Sequence, residues 1–307
     1  MPRKVILDMD PGTDDALALL LALASPELEI LGVTTVAGNS SLDKTSRNTR
    51  RVLEYVGREG VPVYSGSSRP LARSLSTAEH VHGSDGLGET GIPSPREDAR
   101  EGAVEFLATQ IYENRGEITL IATGPLTNLA VLFARYPDLS AAVEDVVLMG
   151  GAYFLTSYGR GNATPLSEFN IYTDPEAAQL VFNSGAPLHC VGLDVTADPR
   201  SHLGQGEIDV LSGSRSLPAR LALMIARYQL DRFGHMELHD VMAMAAAIQP
   251  SIFRWVEMRV EVLTNSDVSR GATVPRRPGL GEQPNARICV DAEWRGFKEM
   301  FLARLTE

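Results

Sequence analysis

In Val5-Ile6-Leu7-Asp8-Met9-Asp10-Pro11-Gly12-Thr13-Asp14-Asp15-Ala16-Leu17-Ala18-Leu19-Leu20, an apolar run meets a carboxylate-rich turn, and an apolar helical pattern follows. Val5–Leu7 reads as a buried strand, and the segment from Asp15 to Ala24 as a helix. Pro11-Gly12 forces the turn between them. Asp14 and Asp15 then fall in the first helical turn, where the helix macrodipole favours anions.

The same rhythm continues outward. Ile30–Val36, Val61–Tyr64, Ile118–Ala122, Val146–Met149 and Leu188–Leu193 read as strands buried on both faces. The amphipathic segments Leu42–Val56, Ala103–Asn114, Leu126–Tyr136 and Pro175–Asn183 lie between them. Strand–helix alternation of this kind predicts an α/β fold with a mostly parallel, Rossmann-like open sheet flanked by helices. Glu207–Ile248 reads as mainly helical, followed by strands Val256–Leu263 and Arg287–Val290 and a last helix from Ala292 to Leu305. The 307 residues suit a single domain spanning 1–307 with a helical later part. The loops Ser65–Arg100, Gly150–Asp174 and Thr264–Pro284 are long enough to suggest function. Ligands of open α/β sheets bind beyond the carboxyl ends of strands, so residues just after each strand are the first candidates.

Composition narrows the classes. A formal net charge of −11 and the absence of a basic stripe argue against nucleic acid as partner; the nearest feature, Arg276-Arg277, sits in a Pro/Gly-rich loop. No apolar run is long enough to span a bilayer, and the start of the chain lacks a signal-peptide pattern, so a cytoplasmic protein is expected. Cys190 and Cys289 lie in apolar runs and read as buried free thiols.

A polar loop with a capping aspartate accounts for one or two of the acids at positions 8, 10, 14 and 15, but not for four converging on one strand end. A hard cation such as calcium, held by several oxygens, resolves the repulsion. Zinc fits less well, because no His/Cys group has ligand spacing. Asp8-x-Asp10 also resembles the nucleophile motif of haloacid-dehalogenase-type phosphatases. Those enzymes require a Gly-Asp pair downstream, and this chain contains no Gly-Asp dipeptide.

Further blocks follow the aspartate cluster: Val36-Ala37-Gly38-Asn39, Thr123-Gly124-Pro125-Leu126-Thr127-Asn128 and Val147-Leu148-Met149-Gly150-Gly151. Next come Gly161-Asn162-Ala163-Thr164, Glu168-Phe169-Asn170 and Asp174-Pro175-Glu176-Ala177-Ala178, then His239-Asp240 and Arg270-Gly271-Ala272-Thr273-Val274. Together and in this order they resemble the inosine–uridine-preferring nucleoside hydrolases over nearly the whole chain. The resemblance implies hydrolysis of the N-glycosidic bond of ribonucleosides to base and ribose, in nucleoside salvage, by a homodimer or homotetramer. It implies a calcium ion (Ca2+) held by Asp10, Asp15, Asp240 and the carbonyl of Thr123, with Asp10 also the general base. Asp14, Asn39, Met149, Asn162, Glu168 and Asn170 would line the ribose pocket. His239 would stand on the base side as a proton donor, with His82 nearby.

Residue chemistry points the same way. Ribose offers only hydroxyls, whose partners are acids and amides. Cleavage builds positive charge on the sugar, which an anionic pocket stabilises. A cation eases deprotonation of water, a carboxylate takes the proton, and a histidine can serve the departing base.

Other readings stand beside these. Asn39 could be only the N-cap of the following helix, or both cap and pocket residue. Asn128 reads as a cap or brace of its own helix, Asp174 before Pro175 as an N-cap and Asp194 as a loop brace. Without the family match, Met149 would be a core residue, His82 an exposed loop residue and His239 as readily structural as functional. Base specificity in the family rests partly on the helix before the His-Asp pair, here Arg227-Tyr228-Gln229-Leu230-Asp231-Arg232-Phe233. Tyr228 and Phe233 could stack on a base and Arg227 or Arg232 hydrogen-bond one, which leaves the preferred base open. A ribonucleoside hydrolase and a catalytically silent ribose or nucleoside binder on the same fold are the two functional hypotheses.

Overall fold

The computed structural model describes residues 2–265 and 267–307. The first half builds β1 (Arg3–Met9), α1 (Thr13–Leu23), β2 (Leu28–Thr35), α2 (Leu42–Tyr55), β3 (Val63–Ser65), α3 (Glu79–His82), β4 (Arg100–Glu101), α4 (Ala103–Glu113), β5 (Ile118–Ala122), α5 (Thr127–Arg135) and β6 (Asp145–Met149). The second half adds α6 (Phe169–Thr173), α7 (Pro175–Phe182), β7 (Leu188–Val191), α8 (Leu193–Thr196), α9 (Gln205–Gly213), α10 (Leu217–Phe233), α11 (His239–Ile248), β8 (Phe253–Val262), β9 (Thr273–Arg276), β10 (Ala286–Ala292) and α12 (Trp294–Thr306).

One ten-stranded sheet runs in the order β4-β3-β2-β1-β5-β6-β7-β10-β8-β9. Its pairs are parallel from β4 through β10, and β8 and β9 close the far edge antiparallel. This is the mostly parallel α/β sheet expected, in a single domain.

The period of two along β1 separates the faces. Val5, Leu7 and Met9 pack with α1, α10, α11 and α12, whereas Ile6 packs with α4, α5 and α7. Helix α1 is apolar all round and buried between the sheet and the outer helices, with Leu17, Leu19, Leu20 and Leu21 wholly inaccessible. Each such leucine contributes about 1.5–3 kcal/mol by burial.

The structure differs from the sequence reading at several edges. Gly192 ends β7, so Val191 is its last residue and Leu193 opens α8. The helical stretch 207–248 breaks after α9 and again at Gly234, which caps α10 in the left-handed region at φ +77°. The three long loops contain α3, β4, α6 and β9. Pro275 hid β9 from a pattern reading, yet an edge strand tolerates proline. No helix of the described residues is long and apolar enough to cross a membrane.

Candidate active site

The carboxyl ends of the four adjacent strands β2, β1, β5 and β6 deliver Asn39, Asp10, Thr123 and Met149 to one place. Two helix N-termini join them, α1 with Asp14 and Asp15 and α11 with Asp240. A cavity of about 360 Å³ opens there, lined by Asp14, Asn39, His82, Thr123, Met149, Asn162, Glu168, Asn170, His239 and Asp240 among others.

Asp10 is fully buried. Its Oδ2 accepts the backbone N–H of Asn39 at 2.6 Å, and its Oδ1 is buried without a hydrogen-bond partner among the described residues. The backbone crowds both oxygens: a Cβ on Gly38 would lie 2.1 Å from Oδ2, and one on Gly124 would lie 2.8 Å from Oδ1. Asp15 accepts the N–H of Gly12 at 3.0 Å, the Asn39 amide at 3.0 Å and the Thr123 hydroxyl at 2.7 Å. Ligand oxygens of Asp14, Asp15 and Asp240 lie within 4.8 Å of one another.

Burial first, and then the charges of Asp15 and Asp14, raise the carboxyl of Asp10 well above its ordinary range. Burial and Asp14 push Asp15 up to about 6. Burial and the charges of Asp14, Asp15 and Asp10 raise Asp240 well above the usual range. No Lys or Arg is among the described residues lining the cavity. Buried carboxylates this close require a compensating positive charge. The open Oδ1 of Asp10 and the all-oxygen donor set fit a hard divalent cation.

The opposite wall comes from the loop after β6. Glu168 caps α6, accepting the N–H groups of Asn170, Ile171 and Gly151 at 2.7, 3.1 and 3.1 Å. Burial raises its carboxyl above the ordinary range against those hydrogen bonds. The Asn170 amide donates to the carbonyls of Thr123 at 2.8 Å and Met149 at 3.2 Å, so it ties β5 to β6 at the cavity floor. Asn162 stands exposed at the mouth, its Oδ1 accepting the N–H of Phe169.

Two histidines close the site. His82 is buried, and its Nδ1 accepts the N–H of Thr13 at 3.1 Å, so Nε2 carries the proton of the neutral ring. Burial lowers its pKa, which favours that neutral form. His239 lies 2.8 Å from the Thr196 hydroxyl through Nδ1 and 3.1 Å from Glu237 through Nε2. Burial opposes its protonation, but the hydrogen bond and charge of Glu237, with Asp14 and Glu168, push its pKa up to about 9.

The residues proposed from sequence for substrate line this cavity together with Thr123 and Asp240, whereas Asp10 and Asp15 are buried and reach it through Asn39 and Thr123, and Asp14 rather than Asp10 joins Asp15 and Asp240 in the close carboxylate group. Thr123 is more involved than expected: its carbonyl is held by Asn170 and its hydroxyl by Asp15. Asp8 does not join them. It follows Ile6 onto the other sheet face, where its carboxylate accepts from Thr34 at 2.6 Å and Asn128 at 2.8 Å. Asn128 also holds Thr35 and Ser67, Asp174 caps α7 through Ala177, and Asp194 braces residues 153–156, all as structural residues. Asn39 is no helix cap, since its side chain reaches Asp15 and Ser41 holds the N-cap position.

On α10, Arg227, Arg232 and Phe233 face solvent, and Arg232 lies over the Tyr228 ring. Gln229 instead lines the cavity and donates to the Thr13 hydroxyl at 2.7 Å. Its signal was available: it continues the helical stripe Ala222, Ile225, Ala226 that faces the core. His80, Phe169, Tyr172 and Glu237 also line the cavity, and no spacing rule singled them out.

Comparison with known proteins agrees with this geometry. The sequence model of the family described as "Inosine-uridine preferring nucleoside hydrolase" matches residues 5–299. A pyrimidine-specific ribonucleoside hydrolase RihA from Salmonella schwarzengrund (strain CVM19633) is 41% identical over 312 residues, covering 99% of each chain. Among solved structures, the plant nucleoside hydrolase PpNRh1 superposes with a TM-score of 0.90 at 33% identity, over 100% of this chain and 99% of that one. A purine-preferring ribonucleoside hydrolase from Gardnerella vaginalis gives 0.91 at 28% identity, over 99% of this chain and 98% of its own. The chain belongs to the inosine–uridine preferring nucleoside hydrolase family and is an N-glycosyl hydrolase.

Proposed function

We propose that this protein hydrolyses ribonucleosides, pyrimidine ribonucleosides by preference, with Asp10 as general base and calcium as the metal. The observation that carries the mechanism is one cavity lined both by the buried carboxylates Asp14, Glu168 and Asp240 and by the hydrogen-bonded His239–Glu237 pair. Asp10, Asp15, Asp240 and the Thr123 carbonyl would hold the ion, an oxygen-only donor set suited to calcium. When bound, the ion supplies positive charge that acidifies water and attracts the ribose hydroxyls.

The chain's own groups do the rest. Asp10 orients the attacking water through its open Oδ1 and takes the proton. Asp14, Asn39, Asn162, Glu168 and Asn170, with Met149 beside them, bind and orient the ribose. The carboxylates Asp14 and Glu168 stabilise positive charge as it grows on the sugar. His239, whose protonated form Glu237 favours, gives a proton to the leaving base, and His82 lies nearby as a neutral donor through Nε2. The pyrimidine preference follows the 41% identical relative, against 28% for the purine-preferring structure. The reading extends to nucleoside salvage in the cytoplasm by a homodimer or homotetramer.

The test is release of free ribose from uridine, cytidine, inosine and adenosine by the calcium-loaded protein. Fastest release from uridine or cytidine is expected. Tight nucleoside binding without ribose release would replace the enzyme reading with that of a silent binder.

A further inference from the structure

Beside the cavity, two turns are zipped together by a short bridge. The N–H of Leu203 donates to the carbonyl of Met236 at 2.8 Å, and the N–H of Met236 returns to Leu203 at 3.1 Å. The bridge sets His202, between α8 and α9, against His235 and Glu237, between α10 and α11. One ligating atom from each of His202, His235 and Glu237 lies within 4.8 Å of the others. Lys298 anchors this corner by donating to the His202 carbonyl and pairing with Glu207 at 2.9 Å.

The ring nitrogens are arranged as ligands are. Among the described residues His202 Nε2 is buried without a hydrogen-bond partner, and it stands 3.8 Å from Oε1 of Glu237, too far for a hydrogen bond. His235 Nδ1 lies 3.1 Å from the Phe233 carbonyl, so Nδ1 carries the hydrogen and Nε2 keeps its lone pair. A backbone carbonyl on the second ring nitrogen is the usual support of a metal-binding histidine. The two rings stack at 4.5 Å and 7°, with His235 half-buried. Two imidazoles and a carboxylate suit a borderline cation rather than calcium, and three protein ligands leave a position for water.

We propose that His202, His235 and Glu237 form a second metal site, for Zn2+. Glu237 reaches both sides of this corner: its Oε2 is 3.1 Å from His239 Nε2, while its Oε1 faces His202. The site rests on the positions of these three side chains and not on the proposed function.

The experiment titrates the calcium-loaded protein, in excess calcium, with Co2+ followed by visible absorption and with Zn2+ followed by calorimetry. Wild type should take up one ion per chain at this site. His202→Ala and His235→Ala should each weaken binding at least about tenfold through loss of a ligand, with turnover in the absence of zinc unchanged. Equal metal affinity in wild type and both variants would overturn the site. Because the Co2+ spectrum needs no turnover, the site is decided even if the protein releases no ribose.

Discussion

Alanine in place of Gly38 puts a Cβ 2.1 Å from Oδ2 of Asp10 and 2.7 Å from Cδ of Pro125. Real Cβ atoms do not approach closer than 3.0 Å, so the carboxylate must retreat by about 0.9 Å. That retreat stretches the 2.6 Å hydrogen bond from the Asn39 N–H and displaces the whole Asp10 carboxylate. A misplacement of about 1 Å in a catalytic group costs about a hundredfold in rate, or ~2.7 kcal/mol of transition-state stabilisation. The contact with Pro125 adds ~1–3 kcal/mol of overpacking, which lowers the melting temperature by a few degrees without unfolding the chain. Gly124→Ala probes the other oxygen more gently: its Cβ would sit 2.8 Å from Oδ1, and a shift of about 0.2 Å relieves it. Gly60→Ala is the control, since nothing lies within 4 Å of its Cβ. Steady-state kinetics on uridine, with circular dichroism and thermal melts beside them, should give a graded series. Gly60→Ala should match wild type, Gly124→Ala should lose a few-fold in kcat, and Gly38→Ala about a hundredfold. A folded Gly38→Ala enzyme with kcat within twofold of wild type would refute the placement of Asp10 at the reacting centre.

Three further outcomes are expected. Removal of the ribose 2′-hydroxyl deprives the carboxylate-lined pocket of a partner, so kcat/KM for deoxyuridine should fall on the order of 10⁴-fold below uridine; equal values would sink the ribose pocket. His239→Ala should slow uridine cleavage by about 10²–10⁴ and barely affect p-nitrophenyl riboside, which needs no proton on its leaving group; equal losses on both would move His239 to a positioning role for Asp240. Stripping divalent ions with EDTA should abolish ribose release and leave a pH-dependent fold. Asp15, at about 6 against 3.8 for a free aspartate, and Asp10 and Asp240, both raised well above the ordinary range, bind protons more tightly in the native state. The stability these three groups contribute to the stripped protein is therefore full below about pH 4 and is lost as pH rises through their native values, about 6 for Asp15. Calcium should flatten that slope in thermal melts, and an unchanged slope would argue against the metal position.

Much of this was legible from residue patterns. The apolar runs of β1, β2, β5, β6 and β7 and the helices between them specify a parallel sheet, because strands buried on both faces must be apolar throughout and need helical crossovers. The turn Asp10–Asp15 marked the site because dense like charge at a strand end requires a counter-charge. Local chain chemistry also identified Asp174 as a cap, since a cap lies within a few residues of its partners; Asn128, read as a cap or brace of its own helix, instead holds Asp8, Thr35 and Ser67 from distant segments.

What tertiary structure alone decided are the relations between segments far apart in the chain. Pleating turns Asp8 to the sheet face opposite its neighbours' functional cluster, and Thr34 and Asn128 receive it there. The rotation of α10 brings Gln229 to the cavity and leaves Arg227 and Phe233 in solvent, which a stretch of seven mixed residues does not reveal. Glu237 acquires a role only because the Leu203–Met236 bridge and the start of α11 place it between His202 and His239. The physical reason is range. Propensity, periodicity and charge density act over a few residues and are written in local order. The direction of a side chain and the distance between two loops depend on how whole elements pack, and only the assembled sheet with its helices sets them.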